Sequence, residues 1–533
     1  RGSYLHGVMA TSVAQLSRSA ADTVPAALWC AAAALFLPLF LVKSLLAAEL
    51  ELFGDGAFYW LEAQYPALSY SDVPFLTPAL VAIGTEVAGN TPFGVRWPFL
   101  AVGSLLPLAV YWVARPLTGR RDAVLAAMFS MLIPVPALLG LLAIPDVPLL
   151  LLQVLCFGAL ERAVRQESLG WWVVTGLIAA LALNAHYRFA FFGLGALLFM
   201  LTARSGRAML VTPAPWVALA LAGFGALPVL WFNISNDLAG VAFHFVDRHP
   251  WQFNPEGLLY LFEQAVWVTP LLFAAFAATL WRVTENAMAG DPPAHLAAAM
   301  AFAYLAPFTA LSPWAVAGNT TTGHWAIFAY VALLPWLPGT LRAIKARGPG
   351  GRVFAWSVPA SAAALLFLAL KSITLTAFYE RVPTALRGFA TDKLSGWEQL
   401  ADDIERRLVA TPEAGGTIVT NRYDTAAQIA FWLERPSGIY NIDDLKIFRR
   451  GRAAQRAIWG FDIAGLRRDR PGGAAFIVIE GHDPPGALGP FCELFDEVRP
   501  LGRFSLFEGE RRYGYYLGLG LRDKAGAPGV CIR

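Results

Sequence analysis

Long, nearly unbroken apolar runs dominate the first two thirds of the chain, rather than the alternation of a half-buried strand or the stripe of a surface helix. Eleven runs reach or approach the length of about 17–25 residues that crosses about 30 Å of hydrocarbon. They lie near 25–47, 96–115, 123–143, 146–162, 170–187, 188–204, 214–234, 257–281, 296–313, 325–343 and 353–375. The first lacks a cleavage motif and outruns a signal-peptide core, so it reads as an uncleaved span. Arg1-Gly2-Ser3 reads as a tag remnant ahead of Met9, and 1–24 as a cytoplasmic segment. The pattern changes in 376–533. Ser395–Val409 and Tyr423–Leu433 have helical periodicity, Thr417–Asn421 is a short apolar strand, and Ala475–Glu480 and Arg512–Leu519 supply further strands. The expected fold is a polytopic α-helical membrane body, 25–375, followed by a soluble α/β domain, 376–533.

Composition sharpens this division. Apolar residues make up 57% of the chain and charged residues 15%, against about 25% charged in soluble domains. Residues 376–533 hold 43 of the 79 charges, 22 basic and 21 acidic. A net charge of +3 without a basic cluster gives no footprint for nucleic acid. With the N-terminus inside, the inner loops contain Arg115, Arg120, Arg121, Arg162, Arg165, Arg204, Arg207, Arg282, Arg342, Lys345, Arg347 and Arg352, while the outer loops contain only Arg96, Arg188 and Arg248. That bias places the C-terminal domain outside, in the periplasm of a bacterial inner membrane. No internal repeat suggests a transporter built from duplicated halves.

Acids gather on the outer side. The first outer loop, 48–95, carries Glu49, Glu51, Asp55, Glu62, Asp72 and Glu86, with no cation before Arg96 at its far end. Asp55 sits between Gly54 and Gly56, where a tight turn would leave the carboxylate open to a ligand; a solvated loop acid is the competing reading. Phe58-Tyr59-Trp60-Leu61 and Tyr65 suit a helix in the membrane interface. Asp146 lies in the short outer connection 143–148, as a functional acid near hydrocarbon or as a helix N-cap. Arg96, His186, Arg188 and His324 are outer-side cations suited to a phosphate, with His244, Arg248 and His249 in the loop after the seventh run. Snorkelling accounts for Lys43 and Lys371. Phosphate-loop, zinc-protease and nucleophile-elbow motifs are absent, and no metal site is expected. Cys492 and Cys531, both in the outer domain, are expected to pair.

Several stretches occur in a known order. Asp55-Gly56-Ala57-Phe58-Tyr59-Trp60 is followed by Ser71-Asp72-Val73-Pro74, Phe93-Gly94-Val95-Arg96-Trp97-Pro98, Ile144-Pro145-Asp146-Val147-Pro148, Ala185-His186-Tyr187-Arg188 and His324-Trp325-Ala326-Ile327-Phe328-Ala329-Tyr330. Together they resemble the GT-C superfamily, in particular the family of protein O-mannosyltransferases and bacterial lipid A aminoarabinose transferases. The resemblance implies a glycosyltransferase that takes its sugar from a polyprenyl phosphate such as undecaprenyl phosphate, with no cofactor besides that lipid. The implied acceptor is lipid A or lipopolysaccharide, another envelope glycan, or a protein. It implies Asp55 as general base in an inverting displacement and Asp146 as second acid. Arg96, His186, Arg188 and His324 would hold the donor phosphate, and Tyr59, Asp72, Arg248 and His249 would lie toward the acceptor. Two positions depart from the pattern: Gly56 replaces an acid, and Val73 replaces a His or Lys. The alternative is a non-catalytic polyprenyl-lipid flippase.

Overall fold

A computed structural model describes residues 24–247, 249, 251–315, 323–442, 452–481, 487–524 and 530–531. Helix occurs at each of the eleven apolar segments, in three forms. Six helices are long and apolar enough to cross a membrane: Ala26–Glu49, Pro92–Thr118, Asp146–Arg165, Ala214–Ser235, Pro292–Ala315 and Pro349–Ala377. Three further pairs are sharply bent. Tyr187–Thr202 meets Arg204–Leu210 at 99°, Pro255–Val268 meets Pro270–Met288 at 108°, and Gly323–Leu333 meets Leu337–Lys345 at 73°. Leu169–Leu183 is a shorter apolar helix. The run 257–281 is therefore not one straight span. It breaks at Thr269-Pro270, where Thr269 adopts φ 73° and proline cannot continue the preceding ladder.

The run 123–143 also differs from a continuous helix. Arg120–Leu132 ends before Pro134 and Pro136, one turn follows at Pro134–Ala137, and 138–145 forms no further regular helix. Non-helical backbone at membrane depth persists only where protein buries it or it lines a cavity, and this segment does both. Gly140 has φ 93°, and a Cβ there would meet the Phe99 carbonyl oxygen at 2.4 Å. Asp146–Arg165 follows and is the most enclosed span, as a helix apolar around its whole circumference should be.

The C-terminal domain is built on one six-stranded sheet. Its strands are β1 (Ile418–Thr420), β2 (Ile439–Asn441), β3 (Ala475–Glu480), β4 (Phe495–Leu506), β5 (Arg511–Leu521) and β6 (Val530–Cys531), in the order β2-β1-β3-β5-β4-β6. β1 pairs parallel with β2 and β3, whereas β5 runs antiparallel to β3 and β4. The sequence pattern missed β4 because charged residues interrupt it and a register shift falls at Pro500/Gly502. Cys492 and Cys531 are paired, with Cα atoms 5.8 Å apart, fastening the turn before β4 to β6.

The domain packs onto the outer loop. Helix Tyr423–Trp432 lies against helix Gly54–Gln64: Phe58 meets Tyr423 with ring centroids 5.7 Å apart, and Trp60 meets Phe431 at 5.3 Å. Gln428 Nε2 donates to the Leu52 carbonyl at 2.6 Å, and the Trp397 amide donates to the Glu51 carboxylate. Phe58, Tyr59, Trp60 and Leu61 are consequently buried. Their aromatic density reflects a cover of protein, where the sequence suggested a half-wet membrane interface.

Candidate active site

Asp55 is the second residue of helix Gly54–Gln64, where the helix dipole favours a carboxylate. The flanking glycines are helical and form no tight turn. Gly54 answers a close approach: a Cβ there would sit 2.9 Å from the Cβ of Asp424 on the C-terminal domain. That domain also supplies the groups that hold Asp55. Oδ1 accepts from the Tyr423 hydroxyl at 3.2 Å and pairs with Arg452 Nη1 at 2.7 Å.

Arg452 organises the whole cluster. Its Nε forms an ion pair with Asp72, and its Nη2 donates to the Tyr59 hydroxyl at 3.0 Å. The guanidinium lies over the rings of Phe58, Tyr59 and Tyr423, 4.6–5.1 Å from their centroids, adding cation–π attraction. Burial opposes its charge, but Asp55, Tyr59 and Asp72 outweigh that and raise its pKa further. Glu62 is buried beside Asp72; desolvation, then the Asp72 carboxylate, push its pKa well above the usual carboxylate range. Burial thus favours its neutral, protonated form. The Asp55 side chain stays 30% exposed, whereas that of Asp72 is 1% exposed. Of the two carboxylates on Arg452, Asp55 is the one a substrate can reach.

A cavity of about 500 Å³ lies among the helices, lined by residues other than those of this cluster. Its walls are mainly apolar, formed by 138–142 and by side chains such as Leu149, Leu150, Leu365 and Ile373. Asp146 and Arg188 supply charge at the lining, with the His324 ring among them. Asp146 Oδ2 pairs with Arg188 Nη2 at 2.8 Å, His324 Nε2 lies 3.7 Å from Oδ1, and Arg188 stacks over Trp325 at 5.0 Å. Asp146 is the first helical residue, one place past the N-cap Pro145, so its carboxylate serves the arginine pair where capping was the alternative expected. The two centres are joined through the backbone. The Ala143 carbonyl, just ahead of Asp146, lies 3.9 Å from where a Cβ of Gly56 would be.

Other expected residues fall elsewhere. Arg96 is buried away from the cavity lining and donates to the carbonyls of Ala47, Leu50 and Glu51, satisfying the exposed end of the first helix. His186 is also outside the lining; its Nδ1 accepts from the Arg188 amide at 3.0 Å, which fixes the turn that presents that arginine. Lys43 does not snorkel. It is 3% exposed and donates to the Leu139 carbonyl in the irregular segment, while Lys371 is exposed beside Phe389. His244 contacts the Asp72 carbonyl, and His249 contacts the Ala315 carbonyl and the Trp325 ring. Arg248 lies outside the described residues. Among the described residues, no three His, Cys, Asp or Glu side chains converge as metal ligands. Sequence reasoning missed Arg452, Tyr423 as a partner of Asp55, and the Gln153–Tyr304 pair in the cavity wall. The signal for Arg452 was the acid-rich loop itself, whose buried carboxylates required cations from another part of the chain.

A largely apolar cavity among the helices, and a separate carboxylate held by the C-terminal domain, are the two centres of a multi-pass membrane protein. Its relatives agree. Residues 72–232 match the dolichyl-phosphate-mannose-protein mannosyltransferase family. The lipid A galacturonosyltransferase RgtD of Rhizobium johnstonii is 26% identical over 244 residues, covering 44% of this chain and 50% of that protein. The chain thus spans about half the length of this curated relative. The crystal structure of ArnT from Cupriavidus metallidurans bound to undecaprenyl phosphate superposes with a TM-score of 0.61 at 15% identity, covering 91% of this chain and 97% of that one. Its apo form gives 0.61 at 14% identity, covering 92% and 98%. The chain therefore has the GT-C membrane fold, and it resembles the ArnT and O-mannosyltransferase group.

Proposed function

We propose that the protein is a membrane glycosyltransferase that moves a sugar from a polyprenyl phosphate to an acceptor in the cell envelope, on the periplasmic face of a bacterial inner membrane. The observation that carries this reading is the apolar cavity with Arg188, Asp146 and His324 in its lining, whose segment 138–146 approaches the Asp55 helix at Gly56. An isoprenoid tail suits the apolar walls, and an arginine within them suits the phosphate. The relatives support the same chemistry: the ArnT structure binds undecaprenyl phosphate, and RgtD is a lipid A glycosyltransferase.

In this reading Asp55 accepts the proton of an acceptor hydroxyl as its oxygen attacks the anomeric carbon. The bond from that carbon to the phosphate oxygen breaks, with inversion, and the polyprenyl phosphate leaves as an anion. Arg188 and His324 stabilise the leaving phosphate electrostatically, so it needs no separate acid. Asp146 orients Arg188 before the donor arrives. Tyr59 and Asp72 act through Arg452, and His249 lies toward Trp325 at the cavity mouth. The C-terminal domain covers the reaction from the periplasmic side.

The test is transfer from a purified polyprenyl-phosphate sugar to an envelope glycolipid extract, read by mass spectrometry of product and of released polyprenyl phosphate. Asp55→Asn should lower turnover by about 10²–10⁴-fold, the usual cost of losing a general base, while donor binding persists. Transfer at the wild-type rate by Asp55→Asn would overturn the mechanism. Lipid movement without sugar transfer would favour a flippase, which has no need of a base.

A further inference from the structure

The Arg452–Asp55 pair unites two parts of the chain 397 positions apart, and nothing in the family match, which covers 72–232, reaches either residue. We infer that Arg452 is a positioning residue for Asp55, delivered by the C-terminal domain, so that the catalytic carboxylate is correctly aimed only while that domain is docked. The inference rests on the proposed role of Asp55 as base.

Three features of the geometry support it. First, Arg452 Nη1 and the Tyr423 hydroxyl both reach Oδ1 of Asp55, which anchors that oxygen from the domain side. Second, Arg452 is itself immobilised: Asp72 holds Nε, Tyr59 accepts from Nη2, and three aromatic rings enclose the guanidinium. A planar fork with five donors can make these contacts together, and a lysine cannot. Third, the approach is close enough to require glycine at position 54, so the domain contact and the carboxylate are one structure.

The charged and titratable groups facing Asp55 come from several elements. Tyr59 and Glu62 lie on its own helix, Asp72 on the following loop, Tyr423 and Asp424 on the docking helix, and Arg452 just before helix Ala453–Ile458. Asp424 is compensated by Arg422 at 2.6 Å, and burial beside Asp72 disfavours charge on Glu62. Arg452 is thus the cation that directly pairs with Asp55 among these groups. A guanidinium in contact with a carboxylate favours its ionised form by roughly 1–3 pH units. A base that must be ionised loses activity as pH falls. Removing the guanidinium should therefore shift the acid limb of the pH–rate profile upward by a similar amount.

The experiment compares wild type, Arg452→Gln, Arg452→Lys and Arg452→Ala, the last with and without added methylguanidinium. Detergent-solubilised full-length protein is used throughout, with polyprenyl-phosphate sugar as donor. Arg452→Gln should move the acid limb upward and lower kcat at least tenfold, with little change in donor KM. Arg452→Lys should retain the charge, keep the limb nearer wild type, and still lose kcat through misalignment. Methylguanidinium should restore activity and limb position to Arg452→Ala, an outcome that global misfolding would prevent. If the acid limb stays unmoved in folded Arg452→Gln, or rescue fails with monodisperse Arg452→Ala, the inference is wrong. If Asp55→Asn is active, the proposed role of Asp55 fails first, and the two failures are distinguishable.

Discussion

Asp146 and Arg188 form a pair inside a mainly apolar cavity, and each residue predicts a different loss. Arg188→Ala removes the cation suited to the donor phosphate and leaves Asp146 with a weaker partner, so donor affinity should fall at least tenfold by titration with polyprenyl phosphate. Asp146→Asn leaves Arg188 in place, so turnover should fall less than in Asp55→Asn. Equal losses would assign Asp146 a direct part in the chemistry. Glu62 offers a pH test of stability. Its folded-state pKa is raised by burial and by Asp72, so the native state holds a proton that the unfolded chain releases. Its contribution is therefore present below the unfolded value, near 4.3, and is lost as pH rises toward the folded value. Glu62→Gln mimics the protonated form, and its thermal stability should gain on wild type as pH rises from about 4 to 8. Parallel melting curves across that range would show that Glu62 is not protonated in the fold. Single residues also mark what the sequence conceals. Asp55 and Asp146 stand out in the sequence, and remain the proposed site acids, because an acid beside an apolar span is locally conspicuous. Arg96 looked like a phosphate ligand because a cation that binds backbone carbonyls leaves no trace in its neighbours.

At the scale of elements, apolar length located helices but overcounted spans: eleven were expected, and among the described residues six helices are long and apolar enough to cross, or nine if each bent pair is one span. Hydropathy sums a window and is insensitive to the direction of a helix, so Thr269-Pro270 passed as the middle of a single span. The irregular stretch 138–145 was hidden for the same reason: its residues are as apolar as a helix, yet Pro134, Pro136 and Gly140 end the ladder. Lys43 holds this stretch from the first helix through the Leu139 carbonyl. Lys43→Met preserves length and leaves that carbonyl without this donor, a loss of about 1–3 kcal/mol for a buried group. Because 138–142 line the cavity, the thermal shift produced by polyprenyl phosphate should shrink along with the basal melting temperature. A lower melting temperature with an unchanged ligand shift would confine Lys43 to a structural role. Gly54→Val tests the opposite side. A side chain there meets Asp424, so domain docking should loosen, with protease cleavage after the last span accelerated and turnover reduced.

At the scale of the whole molecule, the site is an assembly of two unlike solvents' products, a lipid-embedded body and a water-soluble domain. The charge map made that division visible, with 43 of 79 charges in the last 158 residues. It did not show that the C-terminal domain reaches Asp55, because contacts such as Asp55–Arg452 depend on docking rather than on local pattern. The packing of the domain on helix Gly54–Gln64 puts both on one side of the helical body. In the proposed topology, the Lys and Arg bias makes that side the outer one, where an oxidising compartment would preserve the Cys492–Cys531 bond. The bond closes a loop of 39 positions, which on the chain-entropy model stabilises the domain by about 4 kcal/mol. If the domain must stay folded to present Arg452, the disulfide supports catalysis from a distance. A Cys492→Ser, Cys531→Ser double variant should therefore melt at a lower temperature and lose activity on mild heating before the membrane body unfolds. It should keep the wild-type pH profile at low temperature, since Arg452 and Asp55 are unchanged. In intact cells, an impermeant thiol reagent should label these cysteines only after an impermeant reductant is added. Labelling without reductant would show that the bond is not formed. Protection from the reagent even after reduction would place the domain on the inner side and remove it, with its arginine, from a periplasmic reaction.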